Sequence, residues 1–198
     1  MMEQPTLLFS REQIDVRVRA LGDEIGHACA GLELCVVGLM KSGLVFMADL
    51  IRAIPLPQTC YFLQSASLRD ASDPLAHTEI VYSTDIPYAR QHILLLDDII
   101  DTGITLSFLL DHIRDHGPAS VRVCTLLDKP SERKVDVHPD WAAFTLERPP
   151  DQFIVGYGLG YRERFRALPY LATIPVPAPV VAGRRTTLSP PRESHEES

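Results

Sequence analysis

The N-terminal part of the chain combines a segment of helical periodicity with a short continuous apolar run. Apolar residues recur every three or four positions after Gln13, and Ser10 followed by Gln13 makes a capping box in front of them. We therefore predict a helix from Ser10 to about Gly26. Continuous apolar residues at 34–39, a polar break and a second apolar segment at 44–54 predict a buried strand, a loop and a mostly buried helix.

The succession of strand and helix continues through the rest of the chain. An apolar run at 93–96 leads through a polar turn into a helical pattern over 106–116, which Gly117 closes. The polar stretch 65–78 predicts a mobile loop. Further strands are predicted near 61–64 and 79–82, and at 121–127, 142–145, 153–157 and 171–174.

Strands that alternate with helices predict an α/β fold with a mostly parallel central sheet flanked by helices on both faces. Ligands of such sheets gather beyond the carboxyl ends of the strands. From Pro175 onward the chain has five prolines and no apolar periodicity, so it buries too little apolar surface to offset its ordering entropy. We therefore predict one folded domain, 1–174, and a disordered Pro-rich tail, 175–198.

Composition and charge exclude several classes of protein. The 198 residues carry a net charge of −7 and no long basic stripe, which disfavours binding to nucleic acid. No apolar stretch reaches the roughly twenty residues of a membrane helix, and no targeting segment is recognised, so a cytoplasmic location is expected. The cysteines show no metal-ligand spacing and are predicted to be small buried thiols. They are Cys29, Cys35, Cys60 and Cys124.

The segment 93–105 carries the clearest chemical signature. A buried strand delivers the carboxylates Asp97 and Asp98, and a polar turn with one glycine then opens a helix whose free N–H groups suit an anion. Thr102 and Thr105 add hydroxyl donors. Carboxylates beside a phosphate require a cation or sugar hydroxyls between them, so the segment indicates a phosphorylated sugar with magnesium. Considered as a general acidic turn, it would merely end a strand and start a helix.

This segment resembles the phosphoribosyl-pyrophosphate-binding motif of type I phosphoribosyltransferases, which has four apolar residues, two acids, two apolar residues and then Asp-Thr-Gly-x-Thr. Other segments narrow the resemblance to the hypoxanthine-guanine branch of that family, over roughly residues 6 to 174. They are the first-helix segment 6–14, the pyrophosphate-loop segment 37–43, the helix segment 46–50, and the segments 126–130, 153–159 and 161–170.

The resemblance implies the type I phosphoribosyltransferase fold, with a small hood and a mobile loop, and a site for phosphoribosyl pyrophosphate. Asp97 and Asp98 would hold the ribose hydroxyls and, through these hydroxyls or water, Mg²⁺, and Arg166 would reach the pyrophosphate. The loop around the pyrophosphate, with a cis peptide between its first two residues, would consist of Met40, Lys41, Ser42 and Gly43. The turn around the ribose phosphate would consist of Asp101, Thr102, Gly103, Ile104 and Thr105.

On the purine side, the resemblance gives Asp101 the role of general acid/base at a ring nitrogen. Lys129 would donate to the exocyclic oxygen, Phe153 would stack on the ring, and Ile154 would read the base edge through its backbone. Each of these residues has an alternative without the family pattern: Phe153 could equally be ordinary core, and Lys129 and Arg166 could be solvated surface charges.

The implied reaction transfers ribose phosphate from phosphoribosyl pyrophosphate to hypoxanthine or guanine and releases pyrophosphate, which is a purine-salvage reaction. Relatives of this kind usually form a homodimer or homotetramer, so a homo-oligomer is expected. The residues do not rank hypoxanthine, guanine and xanthine as substrates.

Two positions depart from the family pattern. Gly160 stands where the family has a magnesium-ligating aspartate, so water or Glu163 would have to replace that ligand. Ser67-Leu68 stands where the family's mobile loop has a Ser-Tyr pair, and Leu68 has no hydroxyl to donate. These departures keep open a second class of function, in which a non-catalytic regulatory protein of the same fold senses a nucleotide or phosphoribosyl pyrophosphate.

Overall fold

A computed structural model describes residues 4–67, 78–81, 86–150 and 152–175. The helices in these ranges are α1 (Arg11–Ala28), α2 (Leu44–Ala53) and α3 (Ile104–Asp115), with a 3₁₀ turn at Pro130–Glu132. The strands in the same ranges are β1 (Thr6–Phe9), β2 (Leu34–Met40), β3 (Gln58–Ser67), β4 (Thr78–Val81), β5 (His92–Ile100), β6 (Ser120–Asp128), β7 (Trp141–Thr145), β8 (Phe153–Val155) and β9 (Leu171–Ile174).

A six-stranded sheet forms the centre of the fold, in the order β4-β3-β2-β5-β6-β7. Neighbouring strands run parallel, except that the edge strand β4 is antiparallel to β3. The carboxyl ends of β2, β5 and β6 therefore lie side by side, and the segments predicted to bind substrate follow these ends. The mostly parallel α/β sheet predicted from the sequence is confirmed.

Residues of the central strands alternate between two hydrophobic cores, although their sequence is a continuous apolar run. On one face, Val36 and Leu94 belong to the core that contains the buried side of α1 and α2. On the other face, Val37 and Leu95 pack with the buried residues of α3. Helices therefore cover both faces, as predicted, and this explains why β2 and β5 are apolar throughout.

The capping box predicted at the start of α1 is present. The backbone N–H of Gln13 donates to Ser10 Oγ at 3.3 Å, and the backbone N–H of Ser10 donates to Gln13 Oε1 at 2.8 Å. The residues before Ser10 do not join the helix, so the resemblance of segment 6–14 to a first helix is wrong for its first four residues. Thr6–Phe9 forms β1 because it pairs antiparallel with β9, which satisfies its backbone groups.

This pairing creates a second, three-stranded antiparallel sheet in the order β1-β9-β8, and it forms the expected hood. β8 ends at Val155 instead of the predicted Tyr157. Gly156 and Tyr157 have φ angles of 95° and 48°, which interrupt the extended backbone.

The strand β5 is longer than its apolar run predicts. It continues past Leu96 to Ile100, because Asp97 and Ile99 pair with Thr125 and Leu127 of β6. The carboxylates that the sequence placed at a strand end are therefore held within a hydrogen-bonded strand.

The prediction of buried thiols is confirmed for Cys29, Cys35 and Cys124, and it is wrong for Cys60, which is exposed. Cys60 lies on β3, and among the described side chains of this strand only Leu63 belongs to the buried core. Cys60 and Phe62 point to the opposite face from Leu63, and both are exposed to solvent. Among the described residues, no helix combines the length and the apolar character that a membrane crossing needs.

Some predictions fall on parts of the chain outside the described residues. They are residues 68–77 of the proposed mobile loop, including Leu68, and the proposed tail beyond Pro175. The two ends of the predicted loop are described and are wrong as loop, because 65–67 belongs to β3 and Thr78 begins β4, and the two strands pair antiparallel.

Candidate active site

A cavity of about 370 Å³ lies beyond the carboxyl ends of β2 and β5. Three segments that are far apart in the sequence meet there, namely the loop after β2, the acids of β5 and the segment around Arg166. Thr105 at the start of α3 completes the wall. The predicted site residues that line the cavity are Met40, Lys41, Ser42, Asp97, Asp98, Thr105 and Arg166.

The two adjacent aspartates differ in burial. Asp97 is 6% exposed and its Oδ1 accepts a hydrogen bond from the backbone N–H of Asp98 at 2.8 Å. Burial, together with the neighbouring charge of Asp98, raises the pKa of Asp97 well above its usual range. A carboxylate in this position is a destabilising feature of the ligand-free protein, and a cation next to it would relieve the repulsion.

We expect Asp97→Asn to raise the melting temperature of the ligand-free protein by a few degrees at pH 7.5. The amide keeps the acceptor for Asp98 N–H and removes the buried charge. The favourable contribution of Asp97 to the free energy of unfolding is present below the unfolded-state pKa and is lost as the pH rises through the higher folded-state pKa. The advantage of the variant should therefore be larger at pH 7.5 than at pH 4.5.

Differential scanning calorimetry at the two pH values measures this effect. Asp136→Asn is the control, because the Asp136 side chain is 99% exposed and the substitution changes the net charge by the same amount as Asp97→Asn. An advantage that is equal for both variants, or independent of pH, would contradict the assignment of the repulsion to Asp97.

The turn between β5 and α3 depends on a glycine. Gly103 has a φ of 78° and precedes the first helical residue, Ile104, whose backbone N–H donates to Thr102 Oγ1 at 3.4 Å. A Cβ at Gly103 would lie 2.9 Å from Arg133 Cδ and 3.1 Å from a methyl carbon of Val135. The segment after β6 therefore lies tightly over this turn, and the backbone N–H of Lys134 donates to the Thr102 carbonyl at 2.9 Å.

We expect Gly103→Ala to lower the free energy of unfolding by about 2 to 3 kcal/mol, since it combines an unfavourable φ with a steric clash. Gly117→Ala is the matched control, because Gly117 has a φ of 65° and its Cβ would meet nothing within 4 Å. It should cost about 1 kcal/mol. Urea unfolding of both variants measures the difference. Equal losses of the free energy of unfolding would show that the segment over Gly103 moves aside without cost.

The pyrophosphate-loop segment has the predicted cis peptide between Met40 and Lys41. Arg166 Nη1 donates to Ser42 Oγ at 3.0 Å and to the carbonyl of Gly158 at 2.9 Å. Glu163 lies between the two cations, with Oε2 at 3.5 Å from Lys41 Nζ and Oε1 at 3.3 Å from Arg166 Nη2. These contacts, led by the hydrogen bond from Arg166, lower the pKa of Glu163. Two cations, Lys41 and Arg166, line the cavity together with the acidic side chains of Asp97, Asp98 and Glu163.

The predicted purine-side residues lie apart from this cavity. Lys129 follows β6, its side chain is only 16% exposed, and its Nζ lies 2.7 Å from Asp101 Oδ1. Phe153 begins β8, is 42% exposed, and has its ring centroid 5.0 Å from that of Tyr161. Ile154 is buried in the core beneath the hood.

For three of these residues, the positions rule out the alternatives that hold without the family pattern. Phe153 is too exposed to be ordinary core. Lys129 and Arg166 are not solvated surface charges, because their side chains are 16% and 29% exposed and both are engaged in ion pairs. The cavity is thus separate from the Lys129–Asp101 pair, and the turn 101–105 connects the two.

Size alone does not identify this site. A larger cavity, of about 590 Å³, lies between α1, α2 and the segment around Arg166. It contains arginines and aspartates of α1 and α2, but neither Asp97, Asp98 nor the pyrophosphate-loop segment lines it.

Sequence reasoning missed Arg133 and the contact of Tyr157 with Asp49. Tyr157 Oη donates to Asp49 Oδ2 at 2.6 Å, which fixes the loop after β8 to α2, and burial raises the pKa of the phenol. Arg133 donates to the backbone carbonyls of Ile100, the last residue of β5, and of Asp101, which follows it. No local pattern marks either residue, because their partners lie far away in the sequence or are backbone atoms.

Comparisons with known proteins agree with this arrangement. A family model described as a phosphoribosyl transferase domain matches residues 12–162. The hypoxanthine-guanine phosphoribosyltransferase of Bacillus subtilis is 37% identical over 168 residues, which cover 85% of this chain and 92% of the relative. The hypoxanthine phosphoribosyltransferase of Haemophilus influenzae is 36% identical over 171 residues, which cover 85% and 94%.

Among solved structures, a hypoxanthine-guanine phosphoribosyltransferase from Bacillus anthracis, with a HEPES molecule in its active site, matches with a TM-score of 0.78. It is 36% identical, and the match covers 85% of this chain and 97% of that chain.

Proposed function

The chain belongs to the phosphoribosyltransferase domain family, and on that premise we propose that it transfers the phosphoribosyl group of phosphoribosyl pyrophosphate to hypoxanthine or guanine. The products are a nucleoside monophosphate and pyrophosphate, so the reaction serves purine salvage. One observation carries the proposal, namely the meeting of the pyrophosphate-loop segment, the β5 acids and Arg166 around a single cavity.

In this reaction the bond between the ribose C1′ and the pyrophosphate oxygen breaks, and a bond from C1′ to a purine ring nitrogen forms. Positive charge builds on the sugar as the leaving group departs, as in glycoside hydrolysis. Carboxylates at Asp97, Asp98 and Asp101 suit the cationic sugar. Lys41 and Arg166 suit the departing anion, and the N–H groups at the start of α3 suit the ribose phosphate.

We assign the proton transfer to Asp101. The incoming ring nitrogen loses a proton as it bonds to C1′, and the carboxylate of Asp101 accepts it. Lys129, whose Nζ lies 2.7 Å from Asp101, is placed to donate to the exocyclic oxygen of the base. This hydrogen bond would draw electrons from the ring and make the nitrogen-bound proton more acidic. Phe153 would stack on the base, and the backbone of Ile154 would read its edge.

The residues present fit a magnesium ion at Asp97 and Asp98. Hard carboxylate oxygens are the ligands that magnesium prefers, and the buried Asp97 is destabilised without a cation. No cluster of three or more potential ligating side chains occurs in the described ranges, so substrate oxygens and water would complete the coordination. When bound, the ion supplies charge neutralisation for the phosphorylated substrate.

A turnover assay tests the proposal against the regulatory alternative. The protein is given magnesium, phosphoribosyl pyrophosphate and either hypoxanthine, guanine or xanthine, and nucleotide formation is followed. We expect turnover with hypoxanthine or guanine. Tight binding of phosphoribosyl pyrophosphate without turnover on any base would contradict catalysis and favour a sensor of the same fold.

The position of Gly160 gives a specific prediction about magnesium. Its backbone is not left-handed, but a Cβ there would lie 2.7 Å from Arg166 Cζ and 2.8 Å from Arg166 Nε. Glycine therefore lets Arg166 lie across this position, and any side chain must displace it. We expect both Gly160→Ala and Gly160→Asp to weaken phosphoribosyl pyrophosphate binding several-fold, while only the aspartate lowers the magnesium concentration needed for half-maximal rate.

Magnesium titrations of the initial rate compare the two variants. The alanine variant is the control because it produces the same displacement of Arg166 without a carboxylate. Overlapping titration curves for the two variants would mean that a carboxylate at position 160 has no effect on the metal.

We also propose a homodimer or homotetramer in the cytoplasm, on the strength of the family resemblance. Light scattering coupled to gel filtration measures the assembly.

A further inference from the structure

Arg133 links the two strand ends that carry the proposed purine-side chemistry. Its Nη1 donates to the carbonyl oxygens of Ile100 at 2.9 Å and Asp101 at 2.6 Å, at the end of β5. Its Nη2 forms an ion pair with Asp128, the last residue of β6. The side chains of Arg133 and Asp128 are 8% and 11% exposed, so this connection is largely shielded from water.

Each of these strand ends leads directly into one of the two residues proposed to act on the purine, Asp101 and Lys129. Asp101 follows β5 and Lys129 follows β6, and their side chains meet at 2.7 Å. The backbone N–H of Lys129 donates to the Ile100 carbonyl at 3.0 Å, so this oxygen accepts from both Lys129 and Arg133. The position of the Asp101 carboxylate relative to Lys129 therefore depends on the clamp that Arg133 forms.

Stability alone accounts poorly for an arginine here. Removing a guanidinium and a carboxylate from water costs free energy that their attraction only partly returns. In addition, the Nε–H of Arg133 is buried and finds no acceptor among the described residues. What the arginine offers is geometry, because its planar fork bridges two carbonyl oxygens and a carboxylate at once.

We propose that Arg133 is a positioning residue, which sets the separation of Asp101 and Lys129 through the backbone of Asp101 and the carboxylate of Asp128. The inference rests on the proposed function. A displacement of about 1 Å at Asp101 would impair proton transfer. The phosphoribosyl pyrophosphate cavity, which Arg133 does not line, remains intact.

The test compares Arg133→Lys with a matched control elsewhere. Lysine keeps the charge for Asp128 and loses the fork that holds both carbonyls. Arg17→Lys is the control, because Arg17 also donates to two successive backbone carbonyls, those of Ala142 and Ala143, at 2.9 Å each, outside the site. For each variant we measure kcat, KM for hypoxanthine, Kd for phosphoribosyl pyrophosphate by calorimetry, and the melting temperature.

We expect Arg133→Lys to lower kcat at least tenfold and to raise KM for hypoxanthine, with Kd for phosphoribosyl pyrophosphate within twofold of wild type. Arg17→Lys should lower the melting temperature comparably and leave kcat within twofold. If Arg133→Lys does not fold, the double variant Asp128→Asn/Arg133→Met removes both buried charges, and a folded double variant should show the same loss of kcat.

Three results would overturn the inference. They are wild-type kcat in a folded Arg133→Lys or double variant, an equal loss of kcat in Arg17→Lys, and a fall in phosphoribosyl pyrophosphate affinity as large as the fall in kcat. Wild-type protein in the same assay distinguishes a failure of the positioning role from a failure of the proposed function. An inactive wild type rejects both, whereas an active wild type beside an active Arg133 variant rejects only the positioning role.

Discussion

Asp101→Asn is expected to lower kcat by about 10²- to 10⁴-fold while Kd for phosphoribosyl pyrophosphate stays within a few-fold of wild type. The amide has the size of the carboxylate but cannot accept the proton that the purine ring nitrogen loses. Asp101 is half-exposed and lies outside the wall of the phosphate cavity. Its charge therefore contributes little to holding the sugar phosphate.

Initial rates and calorimetric binding, measured on the same preparations, check this prediction. Asp111→Asn is the matched control, because Asp111 lies on α3, is exposed, and loses the same charge. The ion pair with Lys129 is partly open to solvent, so its loss should change the free energy of unfolding by no more than about 1 kcal/mol. Undiminished turnover in Asp101→Asn would remove Asp101 from the proton transfer.

Most of the fold could be predicted because its signals are local. Continuous apolar runs flanked by polar turns gave the central strands, and periodic apolar positions behind a capping box gave α1. β1 is an exception, because it has only four residues and its partner β9 lies at the other end of the domain. Pairing over such a distance leaves no mark on the local pattern, and the family resemblance places this segment with the helix that follows it.

The site was predictable to the extent that a motif carries it. The acids of β5, the turn after them and the loop with the cis peptide each occupy consecutive residues. The role of Arg133 could not be predicted, because its partners are two carbonyl oxygens and a carboxylate on other segments. The setting of Gly160 could not be predicted either, since only the folded chain shows Arg166 lying across it.

Asp97 illustrates a conflict between stability and binding. Every other buried residue of β2 and β5 is apolar, whereas Asp97 is a carboxylate with an acidic neighbour. A strand designed only for stability would not contain this pair. Two adjacent acids in a protein that binds a polyanion make sense if a cation lies between the acids and the ligand.

The double variant Asp97→Asn/Asp98→Asn tests this explanation through the sign of an effect. In the presence of magnesium, we expect its affinity for phosphoribosyl pyrophosphate to fall by about 10- to 100-fold, since the acids no longer hold the ion. In the presence of EDTA, its affinity should exceed that of wild type, because two negative charges beside an anionic ligand have been removed. A melting temperature measured on the same preparation shows whether the double variant is folded, so a loss of affinity under both conditions is interpreted only for a folded variant.

Calorimetric titrations in excess magnesium and in EDTA provide the comparison, with Asp136→Asn again as the exposed control. Equal losses of affinity with and without magnesium would show that the acids bind the ribose directly and need no ion. Unchanged affinity in magnesium would show that the pair is structural. Only the reversal of sign between the two conditions links the buried charge of Asp97 to a metal, because neither direct binding to the sugar nor a structural role makes removal of the acids favourable in one condition and unfavourable in the other.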